Sequence, residues 1–284
     1  MSYSVTTYSL SLDKLQAVCG SGDTSLLQEI ITKESERLLG VDSMGEYFED
    51  FEEEIEKEYE AYRQGNFSYQ HEIWEPIEED DDEEEIISEE DRDKLLEALK
   101  SGDNATAASL VEQALGDDFF GDDDDEPYDE EDDQPQRELT AGGALADLLL
   151  ARPTDPSFGY KYGYALEALC AHLGKTHHPA AWSAINFRAI DAIKQVVPPM
   201  PSGENIEGIL HRGSPVSMPQ PDDFPSMGYL KLAEIETLRP LVQKAIVACD
   251  GNKEKEWEQE ALAELQSWLD QATDAGDDLV FFYY

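Results

Sequence analysis

Cysteine is scarce in this sequence: Cys19, Cys170 and Cys249 are the only three, they lie far apart, and no Cys-x-x-Cys pair occurs. That spacing argues against a disulfide-stapled scaffold or a cysteine-rich metal knuckle. Each thiol sits in an apolar helical context such as Ala-Leu-Cys-Ala-His-Leu and reads as buried in a reducing compartment. Long hydrophobic runs are missing too. No stretch approaches the roughly 18 apolar residues of a membrane-spanning helix, and Met-Ser-Tyr-Ser-Val-Thr-Thr-Tyr has neither the basic nor the apolar region of an export signal. The expectation is a cytoplasmic protein with no membrane partner. The third shortage is of positive charge: 20 Lys and Arg stand against 65 Asp and Glu, a net charge of −45 at pH 7. Polyanions would be repelled, so nucleic acid and anionic lipid are not expected partners.

The charge is unevenly placed. Residues 46–133 hold 38 acidic and 5 basic side chains, net −33, leaving only −12 on the other 196 residues. Within that stretch Phe48, Phe51, Ile55, Tyr59 and Tyr62 recur at helical steps, so one helix face is aromatic while Glu52, Glu53, Glu54, Glu56, Glu58 and Glu60 occupy the others. Residues 78–85 are eight consecutive acids, and 121–136 is acidic with Pro127 and Pro135 and few apolar residues to bury. Both read as mobile loops.

Elsewhere the signals are those of an α+β protein, mainly helical with a small sheet. Tyr, Val and Thr over residues 3–10 predict a strand. Ser11 or Asp13 caps a short helix through Leu12, Leu15 and Val18, and the Ser21-Gly22-Asp23-Thr24 turn caps a second through Leu26, Leu27, Ile30 and Ile31. The same Lys-Leu and Ser-Gly-Asp spacing returns at Lys94-Leu95 and Ser101-Gly102-Asp103, either a duplicated helical hairpin or a common stop-and-restart signal. Further helices are predicted over about 137–152, 160–173, 181–196, 232–248 with Pro240 breaking or kinking it, and 254–272; Ile209-Leu210 and Val216 suggest short extended pieces. The final Leu-Val-Phe-Phe-Tyr-Tyr is a second strong strand, and since a lone strand is unstable its expected partner is the N-terminal one. The division that follows is one discontinuous domain of residues 1–45 and 137–284, an acidic helical insertion over 46–116 and a disordered acidic linker over 117–136.

Sequence support for common chemistries is missing. There is no Gly-x-Ser-x-Gly elbow, His-Glu-x-x-His pair, phosphate-binding loop or dinucleotide fingerprint. His172, His177 and His178 lie within seven residues, with His211 further on, but without the spacing of a metal site; nor do the acidic runs supply the glycine of a calcium loop. No metal or cofactor is expected. Asp222 and Asp223 on a proline-bounded turn are the best candidates for acid and base work or for holding a ligand, against the plainer reading of a helix cap. Tyr160 and Tyr164 share one helix face and are expected in the core, whereas Tyr162 is expected to line a groove.

The segments Tyr160-Lys-Tyr-Gly-Tyr-Ala-Leu-Glu-Ala-Leu-Cys, Leu210-His-Arg-Gly-Ser-Pro, Pro221-Asp-Asp-Phe-Pro-Ser-Met-Gly-Tyr-Leu and Asp278-Leu-Val-Phe-Phe-Tyr-Tyr, with the opening Ser2-Tyr-Ser-Val-Thr-Thr-Tyr, resemble an uncharacterised bacterial family of single-domain proteins over roughly residues 1–40 and 140–284. A more distant similarity is to the YfbM-like small bacterial proteins. The resemblance implies a bacterial cytosolic α+β domain and brings no catalytic or binding residues. The acidic stretch departs from that pattern in length and charge.

Two function classes follow. The first is a non-enzymatic binding or inhibitory protein, immunity-protein-like or a nucleic-acid mimic, whose acidic insertion presents Phe48, Phe51, Tyr59 and Tyr62 to a basic protein such as a toxin or nucleic-acid-binding protein, with Tyr162, Asp222 and Asp223 as further binding residues. The second is an enzyme with a site near His211, Asp222 and Asp223. A third reading gives the acidic segment no role beyond solubility. Oligomeric state leaves no mark in the sequence.

Overall fold

A computed structural model describes residues 3–43, 48–68, 100, 139–183, 185, 187–222 and 224–284. Contacts divide the chain into two units, Met1–His71 with Glu138–Tyr284, and Glu72–Arg137. The elements below all belong to the first. Their order is β1 (Val5–Leu10), α1 (Leu12–Val18), α2 (Thr24–Asp42), α3 (Phe48–Arg63), α4 (Ala141–Leu150), α5 (Gly159–Leu173), β2 (Lys175–His177), α6 (Phe187–Val196), α7 (Ile206–Leu210), β3 (Ser226–Leu230), α8 (Leu232–Cys249), α9 (Glu256–Ala275) and β4 (Asp278–Tyr283).

The fold is α+β, and the two terminal strands do pair. The sheet order is β2-β1-β4-β3, antiparallel throughout, with Val5 opposite Tyr283 and Leu10 opposite Asp278. Alternation along β4 sends Val280 and Phe282 to one face and Leu279, Phe281 and Tyr283 to the other, and both faces are covered. On the first, Tyr8, Leu10, Val280 and Phe282 pack with the apolar stripes of α1 to α5; Tyr8 meets Phe282 edge to face with centroids 5.7 Å apart. On the second, Val5, Leu279, Phe281 and Tyr283 pack with α6 to α9. Fully burying each large apolar side chain contributes about 1.5–3 kcal/mol.

Local signals explain the helix starts. Ser11 Oγ accepts from Lys14 N at 3.3 Å, and Asp23 Oδ1 accepts from Ser25 N and Leu26 N at 3.1 and 3.0 Å. Pro240 is accommodated inside a continuous α8. Three expectations differ from what is found. The helix predicted over 181–196 begins only at Phe187, because Trp182 and Ile185 instead bond strand-like to Val5 and Tyr3. Ile209-Leu210 is helical, not extended, with Asn205 Oδ1 accepting from Gly208 N at 2.9 Å as its cap. No strand is predicted over Ser226–Leu230, where β3 forms.

Helix α3 forms as its periodicity predicts, but Ile55, Tyr59 and Tyr62 of its apolar stripe face inward. Ile55, Tyr59 and Tyr62 are buried in the core with α2 and α4, while Glu52, Glu53, Glu56 and Glu60 are exposed. Helix α3 belongs to the same contact unit as α2 and α4. Phe48 and Phe51 fall on α3 with their side chains outside the described residues, as are most of 69–116, the 117–136 linker and the repeat at Lys94 and Ser101.

Candidate functional site

The site is built where the 211–225 segment returns across the ends of β3 and β4. After α7 the chain turns outward, and Gly213 N donates to Met227 O at 2.8 Å, tying the segment back onto β3. Gln220 holds the bend from inside: its Oε1 accepts from Ser214 N at 3.1 Å and its Nε2 donates to Met218 O at 3.2 Å. Helix α5 forms the far support and must be glycine there. A Cβ at Gly159 would stand 2.4 Å from Gln220 O, and one at Gly163 would stand 2.8 Å from Pro225 Cγ. The two glycines let the segment lie directly against the helix.

Arg212 clamps the base. It bonds Glu204 through Nε at 3.0 Å and through Nη2, reaches both carboxylate oxygens of Glu234 at 3.0 Å, and donates to Tyr229 O at 2.9 Å. The hydrogen bonds it donates to Glu204 and then to Glu234 hold its pKa above the ordinary arginine range in spite of partial burial. With two carboxylates on one guanidinium, this cation has no surplus charge to offer.

Between these supports lies a cleft of about 610 Å³. His211, Ser226 and Tyr283 line it together with Asp222, against walls of Pro221, Phe224, Pro225 and Met227. His211 Nδ1 and Ser226 Oγ are 2.7 Å apart, and the imidazole meets the Tyr283 ring edge-on at 5.2 Å. Burial lowers the His211 pKa from 6.5, with Glu207 opposing, which favours the uncharged ring. Tyr283 is buried, its phenol pushed up to about 12 chiefly by that burial, and among the described residues its hydroxyl has no hydrogen-bond partner. A second cavity of about 320 Å³ shares Asp222 and Phe224 with the first and is otherwise lined by Val41, Ser157, Gly159, Tyr160 and Tyr164.

The residues expected at a site are distributed unevenly. Asp222 does line the cleft with His211, whereas Asp223 lies outside the described residues. Tyr162 lines no groove: it is buried, its hydroxyl donating to Asp147 Oδ2 at 3.0 Å and accepting from Asp155 N at 3.1 Å. The tyrosine faces are reversed because the Gly159 and Gly163 side of α5 receives the 220–225 segment, which leaves Tyr160 exposed and Tyr164 half-buried at the second cavity. Tyr59 and Tyr62 are fully buried and bonded to Asp42 and Glu58, so they are not available to a partner. Ser226 and Tyr283 carry no motif that would have marked them. His177, near in sequence to His172 and His178, is taken up by Ser9 Oγ at 3.0 Å on the far edge strand.

Residues 88–284 match the family described as Domain of unknown function (DUF7691). The chain belongs to that family. No curated protein and no solved structure matches it. All residues lining the 610 Å³ cleft lie within the DUF7691 match, as do β2, β3 and β4. Strand β1 does not, although it stands between β2 and β4. The DUF7691 region thus takes one of the two inner strands of its sheet from residues that precede the matched ones. Among the described residues of this DUF7691 chain, no helix is long and apolar enough to cross a membrane.

Proposed function

We propose that this is a binding protein whose ligand seats in the cleft of His211, Asp222, Ser226 and Tyr283. The observation that carries this reading is convergence: hydrogen-bonding groups from the 211–222 segment, β3 and β4 line one concavity, beside apolar side chains, of the size that ligand sites have. An uncharged imidazole and a hydroxyl held 2.7 Å apart offer a donor and an acceptor side by side. The Tyr283 phenol, buried without a partner among the described residues, adds a group that gains from one more hydrogen bond. The test is an NMR screen of the full chain with neutral and cationic fragments. Binders are expected to shift His211, Ser226, Met227 and Tyr283 together; shifts scattered over the surface would contradict the reading.

A second reading is favoured by charge. The net −33 of residues 46–133, with Glu52, Glu53, Glu56 and Glu60 exposed on α3, suits a basic protein such as a toxin or nucleic-acid-binding protein. Such a surface accelerates encounter and sets its salt dependence. In this version charge does the attracting, since Tyr59 and Tyr62 are buried. Replacing residues 72–137 by a Gly/Ser linker should slow association with a basic protein and flatten its salt dependence; unchanged kinetics would sink this second reading.

A further inference from the structure

The two adjoining cavities differ in what their charged groups have left to give. Among the described residues lining them, Arg212 and Asp222 carry full charge, and Arg212 is already shared between Glu204 and Glu234. The buried Lys161 ammonium, 5.3 Å from the Tyr160 ring centroid, is paired with Asp42 at 2.7 Å. Asp222 is exposed and makes no ion pair or hydrogen bond among the described residues. It sits where both cavities meet, with the Phe224 ring beside it and the Tyr160 and Tyr164 rings across the second cavity. Among the described residues this junction has a negative charge without a partner, flanked by aromatic surface, on a chain of net charge −45.

A lysine or arginine side chain answers that description: a three- or four-carbon stem that prefers apolar contact, ending in a cation that prefers a carboxylate. Building on the reading of the cleft as a ligand site, we propose that the paired cavities take an extended basic peptide segment. One lysine or arginine stem lies along Tyr160, Tyr164 and Phe224 with its charge at Asp222, while His211 and Ser226 meet the peptide backbone in the larger cleft. Charge complementarity selects this occupant over an acidic or neutral peptide, and a groove in two lobes selects an extended chain over a compact one.

The test titrates the full chain, observed by NMR, with the heptapeptide acetyl-Ala-Ala-Ala-Arg-Ala-Ala-Ala-amide, with the same peptide carrying neutral citrulline for arginine, and with spermidine. The arginine peptide is expected to shift Tyr160, Tyr164, Asp222 and Phe224 and to bind about five-fold more tightly than the citrulline peptide, the order of one partly exposed ion pair. Asp222→Asn should remove that difference and Asp222→Glu should restore most of it; Asp222 is exposed and has no partner among the described residues whose loss would unfold the chain. Equal binding of the two peptides, an unchanged preference in Asp222→Asn, or shifts confined to residues 72–137 would overturn the proposal. So would spermidine binding at the same residues as tightly as the peptide. Neutral fragments report separately on the cleft: if they still shift His211 and Ser226 while the arginine peptide does not bind, this inference falls and the ligand site stands.

Discussion

Lys161 Nζ lies 2.7 Å from Asp42 Oδ1, and both side chains are buried. The same carboxylate accepts from Ala141 N at 2.8 Å and from the Tyr59 hydroxyl at 2.7 Å, which in turn accepts from Gly142 N at 3.0 Å. One carboxylate thus joins α2, α3, α5 and the start of α4. Removing either charge leaves the other buried without its counter-ion, which costs about 3–5 kcal/mol. Lys161→Met and Asp42→Ala should each lower the stability measured by urea unfolding by that order, Asp42→Ala the more because the helix start also loses its acceptor. A loss below about 1 kcal/mol for both would show the network to be incidental.

The sheet order makes a prediction about the family's bounds. Residues 88–284 contain β2, β3 and β4 but not β1, without which β2 has no neighbour and β4 loses one edge. A chain of residues 88–284 alone is expected to show no cooperative thermal transition by circular dichroism, whereas residues 1–284 do. A cooperative melt of the shorter chain would contradict the shared sheet.

Acid should loosen the fold before most carboxylates titrate. Burial, then Lys175 and His178, lowers the pKa of His177 from 6.5. The unfolded chain therefore takes up this proton at higher pH than the folded one. Stability is fully present above about 6.5 and is lost as pH falls toward the lowered value. His211, also lowered chiefly by burial, contributes in the same direction. The melting temperature should drop between pH 7 and pH 5, and His177→Gln should flatten that drop; an identical slope in the variant would remove His177 as the cause.

Much of the fold was legible because its signals were dense. The terminal strands are rich in β-branched and aromatic residues, and the helix at Asp23 has its cap written beside it. Strand β2 was missed because it is three residues of Lys-Thr-His at a sheet edge, and β3 because its short run is enclosed by prolines and glycines. Helical spacing correctly put Tyr160 and Tyr164 on one side of α5 and Tyr162 on the other, but spacing does not say which side a neighbour will cover. That was decided by Gly159 and Gly163, whose missing side chains admit the 220–225 segment. In the candidate site Asp222 and His211 were visible as chemistry-bearing residues, while Ser226 and Tyr283 became relevant only through contacts across 15 residues and across the sheet.

The same glycines give a local test. Gly159→Ala places a methyl against a backbone carbonyl that cannot rotate away, and such overpacking costs about 1–3 kcal/mol. It should also displace the 220–225 segment, so the amide shifts of Ser214, Asp222 and Ser226 should move along with the loss in stability. Lost stability with unmoved cleft resonances would mean that the helix does not support the cleft.

The most direct measurement compares binding of the same fragments to the intact chain, to Ser226→Ala, to the cleft-filling Ser226→Trp, and to a chain with residues 72–137 replaced by a Gly/Ser linker, each checked for an unchanged thermal transition. The cleft reading predicts that Ser226→Ala weakens binding, that Ser226→Trp abolishes it and that the linker chain binds as the intact one does. Undiminished binding by both serine variants, with loss only in the linker chain, would contradict it and leave the acidic stretch as the binding surface.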